Sequence, residues 1–209
     1  MQSVERLWAL IQAVKLICSK KIQGDFVECG VFLGGSGVVI GRTMSRYFAD
    51  QKRSIFLFDT FEGMTVPSSE DTQSSNYIHA SQLLNSTLKL NKAHNVWAFA
   101  DEESVLNNLK TLQNYDLSNF HLVKGDVKQT LSEVKLGKIA ILRLDTDWYE
   151  STKIELQVLY PSLISGGILI VDDYGHWEGA RRAFDEFLFT QPSNFLHRVD
   201  YTCRLLVKD

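Results

Sequence analysis

The chain has 209 residues, 44% of them hydrophobic, the balance of a packed globular protein long enough for one large core. Lys and Arg number 22 against 25 Asp and Glu, a net charge of −3 with no basic run, which sets aside nucleic acid and anionic membrane surfaces as partners. No apolar run approaches the roughly 20 residues that span a bilayer, and the N-terminal stretch is amphipathic rather than signal-like, so cytoplasmic residence is the expectation. Cys18, Cys29 and Cys203 lack metal-type spacing and read as reduced and structural. With no repeat, low-complexity tract or linker, residues 1–209 read as a single domain.

Val4, Leu7, Trp8, Leu10, Ile11, Val14, Leu16 and Ile17 recur at helical spacing, predicting a helix over 3–20 within an N-terminal segment 1–22. Its broad apolar face suits the sheet or a second copy of the chain, and a homo-oligomer is expected. Gly24–Asp25 then turns the chain into a short strand, Phe26–Cys29, followed by the glycine-rich run Gly30–Gly37 and a helix over Val38–Phe48. Glycines at a strand-to-helix turn let the backbone approach a ligand, with helix N–H groups available to an anionic group. The run lacks the Gly-Lys-Ser/Thr of a Walker loop and the G-x-G-x-x-G of a dinucleotide site, leaving a looser acidic-x-Gly-x-x-x-Gly pattern. That pattern resembles motif I of class I S-adenosylmethionine-dependent methyltransferases. The resemblance implies that Gly30, Gly34, Gly35 and Ser36 accommodate the methionine end of the cofactor, with Glu28 near its amino group.

Ile55–Phe58 is an apolar strand ending in Asp59, 22 residues past Gly37, the separation at which a doubly wound fold places an acidic ligand for ribose hydroxyls. Residues 63–100 are rich in Ser, Thr, Asn and Gln and contain Pro67, Glu70 and Asp71, reading as a lid or substrate loop with a helix over Ser81–Leu90. His79 and His94 in that insertion read first as surface histidines. Asp101–Leu112 returns to a helical pattern, and Asn119–Val123 reads as a third strand. Asp126 follows it; in the methyltransferase resemblance an aspartate here accepts from the adenine amino group.

Ile139–Leu144 and Ile168–Val171 are apolar runs that each end in aspartates, and Tyr149–Tyr160 between them reads as a crossover helix stopped by Pro161 and Gly166–Gly167. A right-handed crossover makes the two strands parallel and gathers Asp145, Asp147, Asp172 and Asp173 at one sheet rim. Carboxylates meeting there repel one another unless a cation or bound protons relieve them, which argues for a metal, an acid/base role, or both. Glu178–Leu188 reads as a helix whose Arg181, Arg182, Asp185 and Glu186 form a solvated face, and Phe195–Val199 with Cys203–Val207 as a terminal antiparallel strand pair.

Together GDFVECGVFLGGSG, FLFDTFEGM, LRLDTDWYEST and GGILIVDDYGHWEGARRAFDEF, covering roughly residues 24–190, resemble the macrocin O-methyltransferase (TylF/MycF-type) family. The resemblance implies a Rossmann-like class I methyltransferase fold: a mostly parallel seven-stranded sheet, helices on both faces and an antiparallel C-terminal strand. It also implies transfer of a methyl group from S-adenosylmethionine to a hydroxyl of a sugar or glycosylated natural product. Mg²⁺ would be held by Asp145, Asp172 and Asp173, with the acceptor's vicinal hydroxyls completing its coordination. The more distant catechol group has a lysine base three residues beyond its first Asp; here that position is Trp148, which rules such a base out. Asp145 is the first candidate for the base and His176 the second. Two rivals stand beside this reading. A nucleotide-sugar or NAD enzyme would carry a stricter glycine fingerprint and a Tyr-x-x-x-Lys pair. The other is a non-catalytic or different-acceptor Rossmann-like nucleoside-binding protein; a degenerate methyltransferase domain used for binding or assembly would have lost rim aspartates or the glycine turn, and this chain keeps both.

Overall fold

In the computed structural model, residues 3–89, 96–191 and 195–209 are described. Seven strands form one sheet: β1 (Asp25–Cys29), β2 (Ile55–Asp59), β3 (Phe120–Lys124), β4 (Ile139–Leu144), β5 (Leu163–Val171), β6 (His197–Arg198) and β7 (Arg204–Val207), in the order β3-β2-β1-β4-β5-β7-β6. The first five run parallel, and β7 returns antiparallel between β5 and β6. The order reverses between β1 and β4, so the strand ends on either side of that switch open a crevice.

Helices α1 (Val4–Ser19), α2 (Gly35–Tyr47) and α4 (Glu102–Leu109) cover one face, where Leu10, Ile17, Ile40, Met44, Val105 and Leu109 meet Phe26, Ile55, Leu57, Ile141, Ile168 and Ile170. On the other face α5 (Val127–Glu133), α6 (Tyr149–Leu159) and α7 (Glu178–Phe189) bring Leu131, Leu156 and Phe184 against Val27, Phe58, Leu142, Leu144, Leu169 and Val171. Successive strand residues alternate between the two cores, as a pleat buried on both sides requires. All three cysteines are free and buried. No described helix is long and apolar enough to cross a membrane.

Several boundaries differ from expectation for local reasons. Helix α2 begins at Gly35 rather than Val38, because Gly34 takes the left-handed conformation (φ 76°) that starts it, and first-turn N–H groups need no intrahelical partner. Helix α5 was not expected: Asp126 caps it by accepting from the Lys128 N–H at 2.9 Å. Gly166–Gly167 lie inside β5 and do not stop α6, which ends in a single 3₁₀ turn at Tyr160–Ser162. Strand β6 has two residues only. In the insertion, α3 (Ala80–Ser86) is shorter than expected, capped by the His79 side chain, while Leu90 and His94 lie outside the described residues.

Candidate active site

Alternation along the strands builds the centre of the site. Glu28, Arg143 and Asp172 each lie two residues beyond a member of the α1-side core, Phe26, Ile141 and Ile170, so all three point to that face at the sheet's C-terminal rim. Arg143 Nη1 donates to Glu28, while Nη2 lies 2.6 Å from Asp172 Oδ2 and 2.8 Å from Asp145 Oδ2. Arg6 of α1 adds a second guanidinium, 3.0 Å from Asp172 Oδ2 and 3.0 Å from Asp200 Oδ2. The sequence reading missed both arginines. Arg143 left one signal, a cation within an otherwise apolar strand; Arg6 left none.

The charges do not balance locally. Burial, together with Asp172 and Asp173, pushes Asp145 well above the usual carboxylate range although Arg143 opposes it. Asp173 is pushed up the same way, by burial and by Asp147 and Asp172. Burial and the neighbouring Asp145 raise Asp147 to about 7, against the bond it accepts from Trp177. At Asp172 burial also works against the charged form, but Arg143 and Arg6 outweigh it and hold the pKa below the usual value. Asp172 Oδ1 is buried and finds no hydrogen-bond partner among the described residues.

The strand ends surround a cavity of about 1050 Å³. Of the residues expected to bind cofactor, Gly30, Asp59 and Asp126 line it. A Cβ at Gly30 would stand 2.0 Å from the Asp145 carbonyl oxygen, and φ there is 84°, so this turn admits only glycine. Glu28, Gly34, Gly35 and Ser36 lie off the cavity wall: Ser36 donates its hydroxyl to Glu28, and both are buried beneath the turn. Asp59 Oδ2 accepts from the N–H groups of Val31 (2.7 Å) and Phe32 (3.0 Å), and Oδ1 from Phe61 (2.8 Å). The Thr60 hydroxyl stands 3.4 Å from Oδ1 but gives its one proton to the Gly63 carbonyl at 2.7 Å, so of about four acceptor positions on a carboxylate about one is left for a ribose hydroxyl.

The 63–100 insertion is tied along the rim rather than standing apart. Gln73 pairs with Trp177 in an isolated antiparallel bridge, the Ser74 N–H donates to the His176 carbonyl at 2.9 Å, and Trp148 Nε1 donates to the Thr65 carbonyl at 3.1 Å. His79 contacts Ser68 and Ser81 and is not on the cavity wall. His176 is on it, with Gln73 Nε2 3.3 Å from its Nε2 and the Tyr201 hydroxyl 3.4 Å from its Nδ1. Burial, and then Arg6, lower its pKa, which favours the neutral imidazole. Met64, Leu83, Val96, Phe99 and Trp177 make the cavity's insertion side apolar.

The rim fits a hard divalent cation in donor type and in charge: it offers carboxylate oxygens, one of them orphaned, and carries an excess of negative charge. Asp145 and Asp172 both turn an oxygen to Arg143, and no group of three or more His, Cys, Asp or Glu among the described residues is arranged to hold a metal as it stands.

This strand order, with a glycine turn and an acidic rim facing one crevice, is that of a Rossmann-like class I methyltransferase fold. The macrocin-O-methyltransferase (TylF) description matches residues 1–208, and the chain belongs to that family. It is 31% identical over 189 residues to demethyldecarbamoylnovobiocin O-methyltransferase of Streptomyces niveus, covering 90% of this chain and 66% of the relative. It is also 31% identical over 176 residues to 8-demethyl-8-(2,3-dimethoxy-alpha-L-rhamnosyl)-tetracenomycin-C 4'-O-methyltransferase of Streptomyces olivaceus, covering 83% of this chain and 62% of the relative. The chain thus spans a little under two thirds of the length of these relatives. The structure of the O-methyltransferase NovP superposes with a TM-score of 0.80 at 26% identity, over 99% of this chain and 80% of the other. Calicheamicin methyltransferase CalS11 shares the fold at a TM-score of 0.72 and 20% identity, over 97% and 78%.

Proposed function

We propose that the protein transfers a methyl group from S-adenosylmethionine to a hydroxyl of a sugar or glycosylated natural product, with Mg²⁺ at the rim. The observation that carries this reading is that one cavity joins the glycine turn, Asp59 and Asp126 to the aspartate rim. A relative named for 4'-O-methylation of a rhamnosyl-bearing tetracenomycin supports the acceptor class.

Asp59 and Asp126 offer carboxylates to the ribose hydroxyls and the adenine amino group, and the Gly30 turn gives the methionine end backbone without side chains. A sulfonium methyl needs little electrophilic activation, so the protein's task is to align nucleophile, methyl and sulfur, and to remove a hydroxyl proton. Asp145, on the cavity wall at the end of β4, is the proposed proton acceptor; His176, with Gln73 and Tyr201 beside its ring nitrogens, orients the acceptor. Asp145, Asp172 and Asp173 would hold the divalent cation, which would supply the Lewis acidity that acidifies a hydroxyl. The apolar wall of the insertion excludes water and receives the rest of the acceptor.

The test is incubation with methyl-labelled S-adenosylmethionine and a panel of glycosides, with and without chelator. Label should pass to a glycoside hydroxyl, cease on exhaustive chelation and return with Mg²⁺. Full activity after chelation would remove the metal from the proposal, and binding of NAD in place of S-adenosylmethionine would overturn the whole.

A further inference from the structure

Beneath the rim lies a buried acid that the chemistry above does not use. Glu155 of α6 has no exposed surface, and Thr146 Oγ1 stands 2.9 and 3.1 Å from its two carboxyl oxygens. The carbonyl of Cys29, the last residue of β1, accepts from the Asp145 N–H at 2.8 Å. Thr146 lines the cavity between Asp145 and Asp147, and Cys29 immediately precedes the Gly30 turn. Through Thr146, Glu155 is therefore attached to the aspartate loop, whose first residue is bonded to the end of β1.

That loop needs holding. Asp147 has φ 67°, in the left-handed region that a residue with a side chain rarely adopts, and such conformations persist where the surroundings over-determine them. The Asp147 N–H reaches Asp173 Oδ2 only at 3.3 Å. Trp177 grips its side chain at 2.6 Å from above, and the Thr146–Glu155 pair grips the loop from below.

We propose that Glu155 is a positioning residue: by holding Thr146 it fixes the Asp145–Asp147 loop, which the Asp145 N–H joins to the end of β1. Its effect on catalysis rests on the methyl transfer proposed above; its effect on the loop does not. Burial, partly offset by the bond from Thr146, pushes the Glu155 pKa up to about 8, so the group works as a neutral acid. A carboxylic acid can accept from the Thr146 hydroxyl with one oxygen and donate to it with the other. A glutamine amide offers the same acceptor and donor in the same shape.

The test compares Glu155→Gln, Glu155→Leu and Thr146→Val by steady-state kinetics and by amide hydrogen exchange of residues 145–148. Glu155→Gln should keep kcat within about threefold, whereas Glu155→Leu and Thr146→Val should each lower it about 10²-fold, the scale of a misplacement of about 1 Å. KM for S-adenosylmethionine should change less than about threefold in all three, which a general loss of folding would not produce. Exchange at 145–148 should speed up in Glu155→Leu and Thr146→Val and stay at the wild-type rate in Glu155→Gln. Should Glu155→Leu fail to fold, Thr146→Val beside Glu155→Gln gives the same decision. If the wild type transfers no methyl group, the proposed function fails and the exchange data alone decide. Unchanged exchange in Thr146→Val, or a Glu155→Gln as impaired as Glu155→Leu, overturns the positioning role.

Discussion

Asp71 of the insertion accepts a hydrogen bond from the backbone N–H of Tyr149, 2.8 Å away, and so caps a helix whose own N-cap residue, Trp148, supplies no side-chain bond. The same carboxylate takes the N–H and hydroxyl of Ser68 at 2.6 and 2.8 Å and is fully buried. A Cβ at Gly179 of α7 would come 2.0 Å from Asp71 Oδ1, so three segments converge on one carboxylate. Asp71→Ala should destabilise the protein by about 1–3 kcal/mol in urea denaturation, the cost of a lost cap and of orphaned donors. Gly179→Ala should be harmful alone and much less so in the Asp71→Ala background; additive costs would disprove the convergence.

Arg143 is the counter-charge for three carboxylates. Replacing it with methionine leaves Glu28 and Asp172 buried, and Asp145 half-buried, without it, and breaking a buried ion pair from one side costs about 3–5 kcal/mol. Thermal unfolding of Arg143→Met should show that loss, and Glu28→Gln added to it should recover part. A thermal midpoint equal to wild type would mean that the rim carboxylates are relieved by bound protons without the arginine.

Asp59 has two tasks, to hold the Val31–Phe32 turn and to receive ribose. Asp59→Ala should weaken S-adenosylmethionine and S-adenosylhomocysteine alike by about 1.5–3 kcal/mol in calorimetry, the value of hydrogen bonds to a charged group. Unchanged affinity would leave Asp59 a purely structural brace for the turn.

The choice of base is decided by pH–rate profiles under saturating Mg²⁺. Asp145→Asn should lower the rate by about 10²–10⁴-fold, while His176→Ala should lose little and keep the shape of the profile. Because burial and Arg6 lower the His176 pKa, a histidine base would instead show the rate rising through a pKa below 6.5, a limb that vanishes in His176→Ala. A near-normal Asp145→Asn beside an inactive His176→Ala would reverse the assignment.

Glu155 also predicts a stability difference with pH. Its pKa rises from 4.5 to about 8 on folding, so the folded state binds the proton more tightly than the unfolded chain. That contribution to stability is present in full below pH 4.5 and is lost as pH rises through about 8. Glu155→Gln has no such loss and should gain on the wild type by a few kcal/mol between pH 5 and pH 8 in urea denaturation, on the scale of about 1.4 kcal/mol per pKa unit. A constant difference across that range would show Glu155 to be charged in the folded protein.

What the sequence determined by itself is what short-range pattern encodes. The unbroken apolar run Ile139–Leu144, the helical spacing of Ala180, Ala183, Phe184 and Phe187, and glycines at the end of β1 specify strand, helix and turn because each reflects burial within a few residues of chain. A crossover between two strands ending in aspartates was enough to put Asp145 and Asp172 on one rim, since handedness leaves a single arrangement. Motif resemblance extended this to the family and to a mostly parallel seven-stranded sheet with an antiparallel C-terminal strand; the strand order came from the structure. Tertiary structure alone decided which charges meet. Arg6 and Asp172 are 166 residues apart and Asp71 and Tyr149 are 78 apart, and no local pattern reports such contacts. The division of Glu28 and Ser36 from the cavity wall likewise followed from packing, whereas the short helix α5 rests on a local cap, Asp126. Charged side chains carry no periodicity of their own when they are buried; their partners are set by where strand ends, helix termini and a long insertion come together, and that is where the functional reading now rests.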